Sequence, residues 1–267
     1  REDVRRHAIW SVESGDRADA RAMLAAAEDA GLGNDFVLTE RLARLAVQAG
    51  AGVRALHLQG RVLDGMGRHD EAEQVFASAD RLDLDPDERA LIASARADNR
   101  FRGLGRRDDE PGPDDTVAPL LSAQLANISL FEVRFDDALA QAAPLLEHGD
   151  PVVAAIAALS VAMVHQQRGD FAEALRVAEA GLAAQRRAHG APQVPEEATS
   201  ATSVALALVG LGQLDRAHEV VRPVYEHAVA HRARHGQAWA ARTLGAIHLQ
   251  AGRWQAAEQH SREAAVV

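Results

Sequence analysis

The stretch GMGRHDEAEQVFASA, at residues 65–79, decides the fold of this chain. Before it, Leu56, Gly60 and Leu63 recur at the spacing of one helix face, and Gly67 is placed to end that helix. A glycine suits this place because the residue after a helix often adopts a left-handed conformation that a Cβ atom disfavours. A second helix follows, and small or aromatic residues share one of its faces: Ala72, Phe76 and Ala79. The sequence therefore predicts two antiparallel helices that pack closely around the phenyl ring.

This hairpin resembles the tetratricopeptide (TPR) repeat, in which small residues let two helices approach and a phenylalanine fills the remaining space. The residues at or near the positions of the family pattern are Leu56, Gly60, Leu63, Ala72, Phe76, Ala79 and Pro86. Leu63 stands where the family usually has an aromatic residue, and Pro86 comes late. The resemblance implies an all-α fold, a right-handed α-solenoid of tetratricopeptide-like helix hairpins.

The step from Gly67 to Ala72 recurs along the chain and marks further repeats. It is found again at four places: Gly15 to Ala20, Gly169 to Ala174, Gly212 to Ala217 and Gly252 to Ala257. A degenerate copy has Val133 in the glycine position and Ala138 in the alanine position. We therefore predict that each of these alanines lies in the second helix of a hairpin. The spacing of the last copies falls within the roughly 34 to 47 residues that are typical of helix-pair repeats.

Two longer intervals in this series predict additional elements. In the first, the sequence FVLTERLARLAVQ predicts an additional helix at about residues 36–48. After Pro86 a further helix is expected to about Leu104, followed by RRDDEPGPDDT, whose prolines and acidic residues predict a solvated loop. A plain connection between helices is expected at residues 190–197. The predicted organisation is one continuous solenoid: TPR-like repeats with the additional helix at 1–105, the acidic loop at 106–116 and TPR-like repeats at 117–267.

The composition argues against several classes of function. The chain has no cysteine, which removes disulfides, thiolate catalysis and cysteine zinc sites, and which suits a reducing cytoplasm. Its net charge of −10 argues against nucleic-acid binding because attraction to phosphates needs a basic face. The longest nearly apolar run, residues 152–164, is too short to span a bilayer. We therefore expect a cytoplasmic protein that binds neither nucleic acid nor a membrane.

In a stack of TPR hairpins, the first helices of successive repeats line a concave face, and counting back from each alanine gives the side chains on it. In the first half of the chain these positions are polar: Arg54, His57, Arg61 and Asn127. In the second half they become largely apolar: Ile156, Leu159, Met163, Thr202, Leu206, Trp239 and Arg242. One interpretation is a hydrophobic groove for an amphipathic helix or an apolar small molecule, with Trp239 as the anchor. The other is that curvature or a neighbouring repeat buries these side chains.

No pattern in the sequence predicts catalysis or a metal site. His227, His231 and His235 would lie on one helix face, where a pair could bind a metal. Their position before Gly236 instead favours a helix C-terminus, where positive charge complements the helix dipole. The Gly-x-Gly strings are interpreted as helix C-caps because none follows a strand or carries the lysine of a phosphate-binding loop. We expect a non-catalytic protein without a metal or cofactor.

A narrower resemblance extends over essentially the whole chain. Residues 39–44, TERLAR, and residues 67–72, GRHDEA, resemble motifs in the helical arm of large LuxR-type, MalT-like transcriptional regulators of actinobacteria. The later stretches QRGDFAEAL and LQAGRWQAAE fit the same kind of arm. In such regulators an ATPase module precedes the arm and a helix-turn-helix domain follows it. Neither has a motif in this sequence. Because the chain starts without Met and ends inside a helical pattern, we expect it to be a piece of a longer protein.

The resemblance implies the sensor arm of a bacterial transcriptional regulator, which relays the binding of a small-molecule effector or a protein partner to the ATPase and DNA-binding domains. The alternative is a stand-alone scaffold or adaptor that binds peptide segments of partner proteins. Co-chaperone TPR modules of that kind grip a terminal carboxylate, and the nearest equivalents here are Arg54, Arg61 and Asn127.

Overall fold

The chain is helical throughout the part that its structure describes. A computed structural model describes these residues: 19–32, 35–106, 117–188, 197–230 and 234–266. They form thirteen α-helices, and no β-strand occurs among them. The chain divides into two compact units, Arg1–Leu121 and Ser122–Val267. Within each unit the helices pack against their neighbours along the chain, which confirms the predicted all-α class of helical repeats.

Most helices begin or end near a glycine or a proline, as the sequence predicts. The first unit contains α1 Ala20–Leu32, α2 Phe36–Gln48, α3 Val53–Gly65, α4 His69–Ser78 and α5 Pro86–Asp98. A π-helical turn, Asn99–Gly103, continues α5. Helix α6, Pro119–Phe131, begins at the end of this unit. The second unit continues with α7 Phe135–Ala142, α8 Pro151–Gln167, α9 Phe171–Arg187, α10 Glu197–Gly210, α11 Leu214–Ala230, α12 Arg234–Gln250 and α13 Trp254–Val266.

Six turns between described helices share one hydrogen-bond pattern. The N–H of Gly67 donates to the carbonyl of Asp64, and the N–H of Arg68 donates to the carbonyl of Leu63, both at 2.9 Å. These two bonds form the Schellman motif, which satisfies the last carbonyls of a helix around a left-handed C′ residue. The same bonds and a positive φ recur at the other turn residues: Gly50, Val133, Gly169, Gly212 and Gly252. The predicted turns at these residues are therefore confirmed, including the degenerate copy.

Val133 is the turn residue of this series that is not glycine, and its φ is 62°. A left-handed conformation costs an L residue roughly 1–2 kcal/mol, and it is least tolerated by β-branched residues. The side chain is 68 % exposed, so little packing is lost on its removal. We expect Val133→Gly to raise the free energy of unfolding by about 1 kcal/mol, after allowance for the greater freedom of glycine in the unfolded chain.

Chemical denaturation measures this gain directly. Val133→Ala is the matched control because it removes the branched side chain and keeps the Cβ atom. Its gain should be smaller than that of Val133→Gly. A glycine variant no more stable than the native protein would mean that the left-handed valine is not strained.

The repeat alanines lie where each second helix meets the helix before it. They are the fourth residues of α4, α7, α9, α11 and α13, and all are buried: Ala72, Ala138, Ala174, Ala217 and Ala257. Ala20 is the first residue of α1 and is partly buried, and the predicted turn at Gly15 before it lies outside the described residues. Helix α2 is the predicted additional helix, and its bounds Phe36–Gln48 agree with the prediction.

The hairpin of α3 and α4 forms the core of the first unit as its sequence predicts. Phe76 is fully buried, and its cluster includes Leu56, Leu63 and Ala72. An added Cβ at Gly60 would lie closer than 3.0 Å to three ring atoms of Phe76. The absence of a side chain at Gly60 is therefore what admits the phenyl ring between the helices.

One predicted helix is wrong. The sequence placed His227, His231 and His235 on one helix that ends before Gly236, but α11 ends at Ala230 and α12 begins at Arg234. Gly236 is buried in the first turn of α12, so it begins a helix where a C-cap was expected. Because a helix boundary separates His227 from His235, the two do not share a helix face.

The predicted loops lie almost entirely outside the described residues. This holds for the acidic loop at 106–116 and for the connection at 190–197, of which only the end residues are described. Gly105, with a φ of 60°, follows the π-helical turn and agrees with the predicted stop of that helix. The predicted continuity of the array across 106–116 stays a prediction.

Candidate functional site

The first helices of three hairpins in the second unit form one layer. Helix α8 packs against α10, and α10 packs against α12. The Gln166 amide of α8 donates to the carbonyl oxygen of Ser203 in α10 at 2.8 Å and to its hydroxyl oxygen at 3.1 Å. The predicted groove positions on these helices therefore lie in adjacent elements that are fixed to each other.

Four of the predicted groove residues in this layer are accessible. Leu159 of α8, Leu206 of α10 and Trp239 of α12 are partly exposed, and Arg242 of α12 is exposed. They come from three neighbouring helices of this layer. This accessible set, Leu159, Leu206, Trp239 and Arg242, is called the α8–α10–α12 surface below.

Three other predicted groove residues face the interior to different degrees. Ile156 and Thr202 are only 6 % and 2 % exposed, so neither is accessible to a partner in this conformation. Met163 is partly buried and packs against a cluster that joins α6, α7 and α8. The physical reason is that a first helix has neighbours on both sides, so fewer of its positions reach solvent than the repeat pattern suggests.

Trp239 and Arg242 form a cation–π pair on the α8–α10–α12 surface. The guanidinium carbon of Arg242 lies 4.4 Å from the centre of the Trp239 ring. Such pairs contribute about 0.5–1 kcal/mol at exposed sites and more when a partner excludes water. The pair thus presents an aromatic ring and a positive charge side by side, which suits an apolar side chain flanked by a carboxylate.

The polar positions predicted in the first half do not form an open anion site. Arg54 Nε lies 2.8 Å from a Glu28 carboxylate oxygen, and Arg61 Nη1 lies 3.1 Å from an Asp98 carboxylate oxygen. His57 is only 2 % exposed, and burial, with smaller effects of the Arg61 and Arg54 charges, lowers its pKa to about 3. Its imidazole is therefore neutral near pH 7, and both arginines already bind carboxylates of the chain.

Asn127 is buried and forms a hydrogen bond within the chain. It lies in α6, is 3 % exposed, and its amide donates to the Ser160 hydroxyl of α8 at 3.4 Å. The contact links α6 to the first helix of the next hairpin. Asn127 is therefore not available to a partner in this conformation.

A column of three histidines joins the last helices and was not predicted. His218 of α11, His248 of α12 and His260 of α13 have successive ring centroids 5.8 and 5.4 Å apart. Arg253 Nε donates to His248 Nδ1 at 2.9 Å, which requires that nitrogen to be unprotonated. Burial, followed by the nearby charge of Arg253 and the other two histidines, lowers the pKa of His248. No local motif predicts the column, because each helix contributes one residue.

A second network beside the column binds the same three helices. The Tyr225 hydroxyl donates to Glu263 at 2.8 Å, and the Gln237 amide donates to the same carboxylate at 2.6 Å. Burial and the Glu263 carboxylate raise the pKa of Tyr225 to about 12. These contacts fix α13 to α11 and α12, so we assign the network a structural role.

A metal-binding cluster and a membrane-spanning helix are both absent from the described ranges. No group of three histidine or acidic side chains among these residues is arranged to bind a metal ion. None of the helices in these ranges is long and apolar enough to cross a bilayer.

Residues 155–194 match the family model described as tetratricopeptide repeat. The matched stretch begins inside α8 and contains the Gly169 turn and the whole of α9. The buried Ala174 lies in that helix. The match supports a TPR-like repeat protein, and such repeats in general mediate protein–protein interaction and are typically non-catalytic. No curated protein is significantly similar to the chain.

Proposed function

We propose that the chain is a non-catalytic protein-binding module whose second unit docks an amphipathic helix of a partner protein on the α8–α10–α12 surface. The observation that carries this proposal is the presence of partly exposed Leu159, Leu206 and Trp239 on three adjacent first helices. Exposed apolar patches mark interaction sites, and three partly exposed apolar side chains on adjacent helices suit such a patch. The general role of TPR-like repeats in protein interaction supports the same assignment.

The chemistry of the surface favours a particular kind of helix. The two leucines and the Trp239 ring suit apolar side chains that recur every three or four residues along one face of a helix. The Arg242 guanidinium beside the indole suits an acidic residue near that face. Aromatic and arginine side chains are the residue types that most often dominate binding energy. Trp239 is therefore the proposed anchor.

Trp239→Ala is expected to weaken partner binding at least tenfold, about 1.4 kcal/mol, because it removes the anchor and its cation–π contact. The probe is an amphipathic helical peptide selected from a display library against the native protein, and fluorescence anisotropy measures its Kd. Trp254→Ala is the matched control, since Trp254 is 68 % exposed at the start of α13 and lies outside the proposed surface. It should leave the Kd unchanged.

A stability measurement on the same variants separates binding from folding. Trp239 is only partly buried, so its truncation should destabilise the protein by less than the roughly 3–5 kcal/mol expected for a core aromatic residue. A loss in that range would instead identify Trp239 as a core residue. Equal weakening by Trp254→Ala would place the docking site elsewhere.

In a longer protein, this module is proposed to be the sensor arm of a cytoplasmic LuxR-type, MalT-like transcriptional regulator. The support is the resemblance of TERLAR, which lies in α2, and of GRHDEA, which spans the turn into α4. The arm would relay an effector or partner protein to ATPase and DNA-binding domains. The coding sequence on either side tests this: a phosphate-binding loop upstream and a helix-turn-helix downstream are expected. A reading frame with neither would favour the stand-alone scaffold.

A further inference from the structure

The histidine column of His218, His248 and His260 contributes no residue to the α8–α10–α12 surface. Its three rings are partly buried and come from three helices, so their contacts hold α13 against α11 and α12. The rings of His248 and His260 are stacked with an interplanar angle of 13°, and the Tyr225 ring meets His260 edge-on at a centroid distance of 5.4 Å. These contacts suit uncharged imidazoles, because like charges at such short distances repel each other.

The imidazole of His248 keeps its present contacts only while it is neutral. Its Nδ1 atom accepts a hydrogen bond from Arg253 Nε at 2.9 Å, and a protonated Nδ1 is a donor that cannot accept one. Protonation would also place an imidazolium beside a guanidinium that stays charged at every relevant pH. The Arg253 hydrogen bond is therefore replaced by repulsion when His248 takes up a proton.

The carboxylate of Glu263 lies beside the column and is already held by other groups. It accepts hydrogen bonds from Tyr225 and Gln237, and its Oε2 atom lies 3.7 Å from His260 Nδ1. That nitrogen is buried and makes no hydrogen bond across the described ranges. While the histidines are neutral, the charges of Arg253 and Glu263 balance, and each added proton leaves a net positive charge.

The remaining helix that packs against α12 supplies no compensating charge. This helix is α10, and its residues 199–210 include no titratable side chain. The groups that face His248 are therefore Arg253, His218 and His260, all of them cationic or able to become so.

The electrostatics of the column fix the direction of its response to pH. Burial, followed by the charges of Arg253, His260 and His218, lowers the pKa of His248 from its ordinary value of 6.5. An imidazole freed by separation of α13 regains its ordinary pKa, so the separated state binds a proton more readily than the attached state. The attachment of α13 is therefore strongest above about pH 6.5 and weakens as the pH falls toward the lowered pKa.

We propose that the histidine column is an acid-sensitive latch, which holds α13 on α11 and α12 near neutral pH and releases it when His248 becomes protonated. Histidine suits this role because its charge changes closest to neutral pH. The hydrogen bonds of Tyr225 and Gln237 to Glu263 join the same three helices, so they separate together with the stacked rings.

Hydrogen exchange of the native protein at pH 7.5 and pH 5.5, measured by mass spectrometry on peptides from α13, tests the latch. Dividing each rate by the intrinsic rate at that pH gives the opening constant of the helix. A single histidine can raise this constant by at most about tenfold over the interval, and we expect a rise of at least about threefold. Peptides from α9 should change less, since α9 packs against α8 and α10 and contributes no residue to the column.

His248→Gln is the first test variant, because its amide oxygen can accept from Arg253 and its side chain does not titrate. Its opening constant for α13 should be equal at the two pH values. Arg253→Gln removes the fixed charge beside the column and should reduce the rise. His165→Gln is the matched control, since it makes the same substitution at a histidine of α8 that lies 3.4 Å from Asp170, and it should keep the native rise.

Equal opening constants for α13 at both pH values in the native protein would overturn the latch, and so would an undiminished rise in His248→Gln. Thermal unfolding at each pH verifies that every variant is folded. If His248→Gln does not fold, an undiminished rise in Arg253→Gln would overturn the proposal in its place. The pH response of His57 is common to the native protein and all variants, so it cancels in the comparison. No partner is present in this measurement, so its outcome is independent of docking on the α8–α10–α12 surface.

Discussion

Gly60→Ala is expected to lower the free energy of unfolding by about 2–3 kcal/mol, the upper part of the range for overpacked cores. The new methyl group would lie closer than 3.0 Å to three atoms of the Phe76 ring, and that ring is fully buried. The ring cannot move away without displacing its neighbours in the cluster of α3, α4 and α5. Alanine would normally stabilise a helix interior by about 1 kcal/mol relative to glycine, so the change has the opposite sign to that of helix propensity.

The same helix supplies the control. A Cβ at Gly65 meets no atom within 4 Å, so Gly65→Ala should leave the stability unchanged or slightly raised. Phe76→Leu makes room for the methyl group, and the double variant with Gly60→Ala should be more stable than the sum of the two single changes predicts, by about 1 kcal/mol or more. Urea denaturation of the four variants measures the stability change of each one and the coupling energy between Gly60→Ala and Phe76→Leu. Strictly additive losses would mean that the close approach to Phe76 is not the cause.

His57 is expected to make the stability of the protein fall by about 3 kcal/mol between pH 7 and pH 4. Burial lowers its pKa from 6.5 to about 3, so below pH 6.5 the unfolded chain binds a proton that the folded chain does not. The stability that neutral His57 provides is therefore complete above about pH 6.5 and decreases as the pH falls toward 3. At pH 4 the difference spans about 2.5 pH units, and each unit corresponds to about 1.4 kcal/mol.

His57→Leu isolates this contribution from that of the other titrating groups. The leucine variant should lose less stability than the native protein over the same pH interval, and the difference between the two slopes is the measured quantity. Parallel curves for the native protein and His57→Leu would show that His57 becomes protonated without unfolding the protein.

The sequence predicted the hairpins well because their turns are local. A Schellman turn needs a left-handed residue, and a buried alanine follows at a fixed distance, so both can be identified within a few residues of sequence. Val133 keeps the left-handed turn even though the glycine is missing there. The bounds of α2 could be predicted for the same reason, since its apolar spacing and the Gly50 to Gly52 turn lie within one segment.

The exposure of individual side chains was harder to predict, because it depends on packing against neighbouring helices. Helix α8 is apolar almost all round, so its sequence does not distinguish Ile156, which is buried, from Leu159, which is partly exposed. The burial of Thr202 and of His57 likewise depends on neighbouring helices. The predicted partner surface therefore remains a prediction, and the structure gives the smaller set of residues on which to test it.

The clusters that could not be predicted from the sequence combine residues from distant parts of the chain. His218, His248 and His260 lie on three helices, and their spacing follows no motif. The boundary between α11 and α12 was missed because Gly236 was assigned to a C-cap, the commonest place for a glycine near a helix end.

The succession of local turns has a consequence for how the protein folds. Within each unit, a helix packs chiefly against helices next to it or next but one along the sequence. Contacts between residues so close in the chain require little loop closure, so they form quickly. Folding can begin in any hairpin that forms early and spread to its neighbours, and unfolding can proceed by the same steps in reverse. Hydrogen exchange should accordingly reveal protection that changes from hairpin to hairpin, with no single value for a whole unit.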